Sequence, residues 1–198
     1  MTTNDAPLDT LQVVTAAGDF IDETFDEAGL DGLTLTRIAT DLGVTQPALY
    51  RHVDGMSDLW RQLGLTTREA LADELAEACI GLSGPDAVRA LAAAWRAYAK
   101  AHPGRYRSTE RYPVDGDPAL EQAVARTLDV VAMSLRGFDL SETDLIHSAR
   151  TIRSSLHGFC SYELGDGHPD KGSVDESFNA LVDILCAAFE ATAAKGRA

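Results

Sequence analysis

Apolar positions along this chain recur at spacings of three and four residues, and no strand-length run alternates. That pattern predicts an all-α fold of about nine helices. The first helix is expected over residues 8–28, with Leu11, Val14, Gly18, Ile21, Phe25 and Ala28 on its buried face. Asp19, Asp22, Glu23 and Asp26 then fall on a solvated face. A long helix is expected over residues 56–80, with Leu59, Trp60, Leu63, Leu71 and Leu75 in its stripe. Further helices are expected over 85–101, 105–107, 119–136, 141–163 and 174–194. Ser141 is placed to cap its helix. Glycine and proline mark 108–118 as a loop, and residues 165–172 read as another. Residues 1–7 read as a polar, disordered tail that carries no Arg or Lys.

Residues 33–60, LTLTRIATDLGVTQPALYRHVDGMSDLW, carry the densest signal. Thr34 stands where an N-cap is wanted, and Leu35, Ile38, Ala39 and Leu42 share one helical face. Gly43 follows at once, able to turn the chain through the left-handed region. Thr45 is a second cap candidate, and Pro47 suits the first turn of a short helix over residues 46–52. Two short helices around a tight turn make a helix-turn-helix, whose second helix lies in the DNA major groove.

This segment resembles the DNA-binding domain of the TetR family of transcriptional repressors, above all in the run from Leu42 to Val53. Phe25 to Gly29 and Gly32-Leu33-Thr34 resemble the exit of that family's first helix. Trp95, the His102-Pro103-Gly104 turn and His157-Gly158 resemble one C-terminal domain class of the same family, over residues 86–188. The resemblance implies an all-helical homodimer with a DNA-binding domain at 1–62 and a ligand-binding and dimerisation domain at 63–198. It also implies that a small molecule in the second domain releases DNA.

Charge pulls the other way. The chain carries a net charge of −14, from 17 basic and 31 acidic residues. Residues 1–62 alone hold eleven acids against Arg37, Arg51 and Arg61. Phosphate neutralisation supplies most nonspecific DNA affinity, so composition argues against nucleic acid where the motif argues for it. The motif has more weight, because net charge does not say where charges point. Cys79, Cys160 and Cys186 are odd in number and widely spaced, which suggests reduced core thiols. The apolar runs fall short of a membrane span and the N-terminus lacks a signal pattern, so a cytoplasmic protein is expected.

Base readout needs side chains that donate or accept from the start of a helix. Gln46 can bond adenine bidentately, Pro47 and Ala48 can meet a thymine methyl, and Tyr50, Arg51 and His52 can reach a base or phosphate. Thr36 and Thr45 join them as DNA-binding candidates, whereas Leu49 and Val53 are expected inside. At the first turn of the next helix, many family members carry a phosphate-binding lysine where this chain has Met56, with acidic Asp54 beside it. Trp95, Tyr98, His102, Tyr106, Tyr112, His157 and Tyr162 are candidate walls of an apolar ligand pocket, with ordinary core packing the competing reading. Leu156, Phe178, Leu181, Leu185 and Phe189 are candidates for a dimer interface. There is no HExxH, HxH or nucleophile elbow, so neither a metal, a cofactor nor an enzymatic activity is expected. The reading is a ligand-responsive DNA-binding regulator, a repressor, acting on a pseudo-palindromic operator. A non-enzymatic helical ligand- or protein-binding dimer with a weakened DNA-binding head stays open beside it.

Overall fold

In the computed structural model, which describes residues 8–168 and 172–196, Asp9 starts the first helix. Its carboxylate accepts from the Gln12 amide at 2.7 Å, and the Gln12 side chain accepts from the Asp9 amide at 2.9 Å. This reciprocal cap satisfies two donors that a helix start leaves orphaned. Ten α-helices follow in chain order among the described residues: α1 Thr10–Glu23, α2 Phe25–Ala28, α3 Leu35–Asp41, α4 Gln46–Leu49, α5 Gly55–Ala78, α6 Gly84–Ala101, α7 Pro103–Ser108, α8 Pro118–Ser134, α9 Glu142–Leu164 and α10 Val174–Gly196. Single 3-10 turns occupy Leu30–Gly32 and Arg136–Phe138. The expected tail at 1–7 lies outside the described residues.

The chain divides into two compact units, residues 1–67 with 102–117, and residues 68–101 with 118–198. Residues 102–117, grouped by the sequence reading with the second domain, fold with the first unit.

In the first unit, the core gathers Val13, Val14, Ala17, Phe20 and Ile21 of α1, Leu35, Ile38 and Ala39 of α3, Leu49 and Val53 around α4, and Leu59 and Leu63 of α5. Three expectations for α1 are corrected. Leu11 is 64% exposed, because the buried stripe runs through Val13 and Ala17 instead. The helix also stops at Glu23, where the Thr24 hydroxyl bonds the Phe20 carbonyl at 2.8 Å and α2 begins afresh. Nor does Asp22 lie on a solvated face. It accepts from the Arg105 amide at 2.8 Å and pairs with the Arg105 guanidinium, holding α7 on α1.

In the second unit, α6 packs against α8, α9 and α10, burying Val88, Leu91, Trp95 and Tyr98. Phe138 meets Phe189 edge-on at 5.6 Å. Arg96 sits at the junction of α6, α9 and α10. It bonds Glu163 through two nitrogens at 2.8 and 2.6 Å and Asp175 at 2.6 Å, and lies 4.8 Å over the Phe178 ring. The Arg96 bonds hold the Glu163 carboxyl below its ordinary value, against the opposing effect of burial. α10 departs from the expectation about apolar runs. By length and composition it is apolar enough to cross a membrane, with a window of mean hydropathy 1.3. Only 33% of that window is buried within the chain, and Ile184 is the large apolar side chain it leaves exposed.

Candidate nucleic-acid interface

The helix-turn-helix is built from local bonds. The Thr34 hydroxyl accepts from the Arg37 amide at 3.2 Å and starts α3. The helix ends at Leu42, and Gly43 takes a φ of +66°. The Val44 amide then bonds the Ala39 carbonyl at 2.9 Å, and the Gly43 amide bonds Thr40 at 3.1 Å. This is the paired Schellman closure, and a side chain at position 43 would strain its left-handed backbone. Thr45 caps α4 by backbone conformation alone, without a side-chain bond, and a proline occupies the first turn. The α-helix closes at Leu49, earlier than the expected residue 52, and the chain tightens as the His52 amide bonds the Leu49 carbonyl at 2.8 Å.

α4 is anchored from below and exposed above. Leu49 is fully buried and Val53 nearly so, as expected. The His52 carbonyl accepts from Thr10 at 3.4 Å and from Gln62 at 3.5 Å, tying the end of the motif to α1 and α5. Thr36, Thr45, Gln46, Pro47, Tyr50 and Arg51 are exposed, and Ala48 and His52 are half-buried. Tyr50 is 53% exposed on the helix whose apolar residue Leu49 is fully buried. Six of the eight candidate DNA-binding side chains are therefore exposed, above the buried Leu49 and Val53.

The electrostatics are sparse. Arg37 pairs with Asp41 at 3.4 Å and lies 5.1 Å over the Phe20 ring, yet its side chain remains 57% exposed. Arg61 bonds Asp117 through two nitrogens, one at 3.1 Å, and Asp117 is buried. That pairing, which no local pattern announces across a separation of 56 residues, removes one of the three expected cations from the surface available to phosphate. At the start of α5, the Asp54 amide bonds Asp58 at 3.0 Å, and Asp54 itself is exposed.

The seven pocket candidates divide between the units. His102, Tyr106 and Tyr112 belong to the first, and Trp95, Tyr98, His157 and Tyr162 to the second. Trp95, Tyr98 and Tyr106 are buried, while Tyr162 is 63% exposed and lies 5.8 Å from the His168 ring. The dimer candidates are corrected in part. Leu156, Phe178, Leu185 and Phe189 are buried inside the single chain's own core, because their helical face points at α6 and its neighbours. Leu181 is half-buried, and Ile184 is the large apolar side chain of α10 that is exposed. Among the described residues no group of three or more His, Cys, Asp or Glu side chains is placed to hold a metal.

The molecule compares closely with known regulators. A family model described as tetracyclin repressor-like, C-terminal domain, matches residues 88–185. The uncharacterized HTH-type transcriptional regulator Rv0681 of Mycobacterium tuberculosis is 34% identical over 166 residues, spanning 83% of this chain and 76% of that protein. The uncharacterized HTH-type regulator YobS of Bacillus subtilis is 28% identical over 137 residues, spanning 69% of this chain and 71% of its own. Among solved structures, that of SCO4313 aligns with a TM-score of 0.72 at 27% identity, covering 89% of this chain and 96% of the other. TetR from Acinetobacter baumannii AYE shares the fold, with a TM-score of 0.69 at 19% identity over 94% and 99% of the two chains, and a variant of it is solved in complex with minocycline. With a helix-turn-helix near its N-terminus, the C-terminal family match over residues 88–185 and a regulator 34% identical over 83% of its length, this chain belongs to the TetR family of DNA-binding transcriptional regulators.

Proposed function

We propose that this protein is a repressor that binds a pseudo-palindromic operator as a homodimer and leaves it when a small molecule binds the second unit. The observation that carries the DNA half is the exposed row Gln46, Pro47, Tyr50 and Arg51 above the buried Leu49. Side chains at the start of a recognition helix are those that reach base edges in this motif. Gln46 offers the adenine-type donor and acceptor pair, and Pro47 and Ala48 offer apolar contact to a thymine methyl. With Met56 in place of a lysine and Asp54 beside it, phosphate contacts are few. Affinity then depends on base contacts and duplex shape more than on counterion release.

Dimerisation is supported by the outward face of α10. Ala180, Ile184, Ala187, Ala188 and Ala191 are exposed at helical spacing, and Ile184 is 66% exposed. Small residues with one large apolar side chain let a second helix approach closely, and a two-fold partner presents the same stripe in return. The effector half is supported by family membership and by the minocycline complex of the Acinetobacter protein. The test is selection of bound duplexes from a random pool. The reading requires enrichment of two half-sites related by two-fold symmetry, and a pool that stays random would count against it. The second reading, an inert ligand- or protein-binding dimer, is the one that a random pool would leave standing.

A further inference from the structure

The hydroxyl of Thr36 faces the side-chain oxygen of Gln46 at 3.4 Å, across the turn from α3 to α4. Both side chains are exposed, and both lie on the stretch assigned to base contact. The direction of this hydrogen bond follows from where Thr36 sits. Threonines in the body of these helices donate back to the carbonyl four residues earlier. Thr40 does so at 2.9 Å, Thr66 at 3.0 Å, Thr151 at 2.9 Å and Thr192 at 2.9 Å. Thr36 is the second residue of α3, with its cap at Thr34. A residue in the first turn has no helical carbonyl beneath it. Its proton is therefore free to point across the turn, and the Gln46 carbonyl oxygen is the acceptor there.

We propose that Thr36 is a positioning residue for base recognition, holding the Gln46 amide so that it reads adenine. The proposal rests on the reading that Gln46 enters the major groove. An amide oxygen has two lone pairs, and a primary amide nitrogen has two hydrogens. Adenine recognition uses one lone pair to accept from N6 and one hydrogen to donate to N7. The lone pair nearer the side-chain stem is left over, and it is the one a neighbouring hydroxyl can occupy. With Thr36 donating to it, the amide cannot turn over and exchange its donor and acceptor without losing that bond. In water the contact is long and worth little. Within a groove that excludes water, the same bond is stronger and an unfilled amide position costs more.

The experiment measures base preference rather than affinity alone, by duplex selection with wild type, Thr36→Val, Thr36→Ser, Gln46→Ala and the double variant Thr36→Val with Gln46→Ala. Valine keeps the shape of threonine and removes the hydroxyl, and serine keeps the hydroxyl. Circular dichroism confirms that each variant is folded, as expected for exposed positions. Wild type is expected to prefer adenine at one position of each half-site, and Gln46→Ala to erase that preference. Thr36→Val should weaken the preference at the same base pair by about two- to tenfold, with nonspecific affinity unchanged. Thr36→Ser should retain it. Adding Thr36→Val to Gln46→Ala should change nothing further at that position. If Gln46→Ala erases the preference and Thr36→Val keeps it, the role of Thr36 is overturned and the reading of Gln46 stands. If Thr36→Val acts at a different base pair even without Gln46, then Thr36 is a direct reader and the positioning role is overturned. If Gln46→Ala changes no position, Gln46 is not a reading residue and both fall.

Discussion

Gly104 lies directly against the backbone of Ile21. A β-carbon at position 104 would come within 2.8 Å of the Asp22 amide nitrogen and closer still to the Ile21 carbonyl. Only a residue without a side chain lets α7 approach α1 this closely. The neighbouring Arg105 then reaches over α1, bonding Asp19 at 2.6 Å and the Thr15 carbonyl at 3.2 Å, and passes through the space left by Gly18.

Gly104→Ala should therefore loosen α7 from α1 and lower stability by about 1–3 kcal/mol, since the obstructing atoms are backbone and cannot swing aside. Gly18→Ala should cost less, because what it meets is the end of a flexible arginine. Urea unfolding of the two variants beside wild type checks the order. A Gly104→Ala protein as stable as wild type would contradict the close approach.

The Arg96 and Glu163 pair sets a pH dependence. Glu163 is held below its ordinary value of 4.5, first by the Arg96 hydrogen bonds, with burial acting against them. A carboxyl whose folded pKa is depressed contributes stability that is fully present above the unfolded pKa and is lost as pH falls through the folded one. Glu163→Gln should thus cost about 1–3 kcal/mol at neutral pH. The gap from wild type should shrink as pH drops below 4.5. Unfolding free energies measured from pH 7 to pH 3 check this, and a gap that stays constant would contradict it.

The outward face of α10 gives a pair of neighbouring substitutions with different outcomes. Ile184→Asp places a charge on an exposed side chain, and should leave the fold intact while splitting the dimer. Leu185→Asp buries a charge in the core, where Leu185 is 5% exposed, and should destabilise the chain by about 3–5 kcal/mol. Light scattering and circular dichroism on both proteins separate the two effects. A dimeric Ile184→Asp protein would move the interface elsewhere.

Much of this molecule was legible in the order of its residues. Thr34, Gly43 and Pro47 each have a local physical reason to stand where they do, and all three act within a few residues of themselves. Helical spacing likewise marks α5, α6, α9 and α10 to within a few residues. What was not legible depends on distance along the chain. Asp22 reads as one more acid on a solvated face until Arg105, 83 residues on, arrives to pair with it. Arg61 reads as a surface cation until Asp117 takes it. The apolar stripe of α10 announces a buried face, but periodicity alone does not say whether its own chain or a second copy covers it. Phe178 and Phe189 proved to be covered from within, and Ile184 was left outside.

The central claim is that α4 reads DNA, and its most direct test is a salt titration of operator binding with wild type, Tyr50→Ala and Met56→Lys. Arg61 is held by the buried Asp117, whereas Arg37 stays 57% exposed beside Asp41, so Arg37 and Arg51 are the cations that each head of residues 1–62 offers to phosphate. Each neutralised phosphate contributes about −0.9 to the slope of log affinity against log salt, so the wild-type dimer should show a slope of about −4 or shallower. Met56→Lys should strengthen binding to every sequence and steepen the slope by about 1 per head. Tyr50→Ala should abolish preference for the selected operator while leaving the weak nonspecific binding in place. A Tyr50→Ala protein that binds the operator as tightly and selectively as wild type would contradict the account at its base.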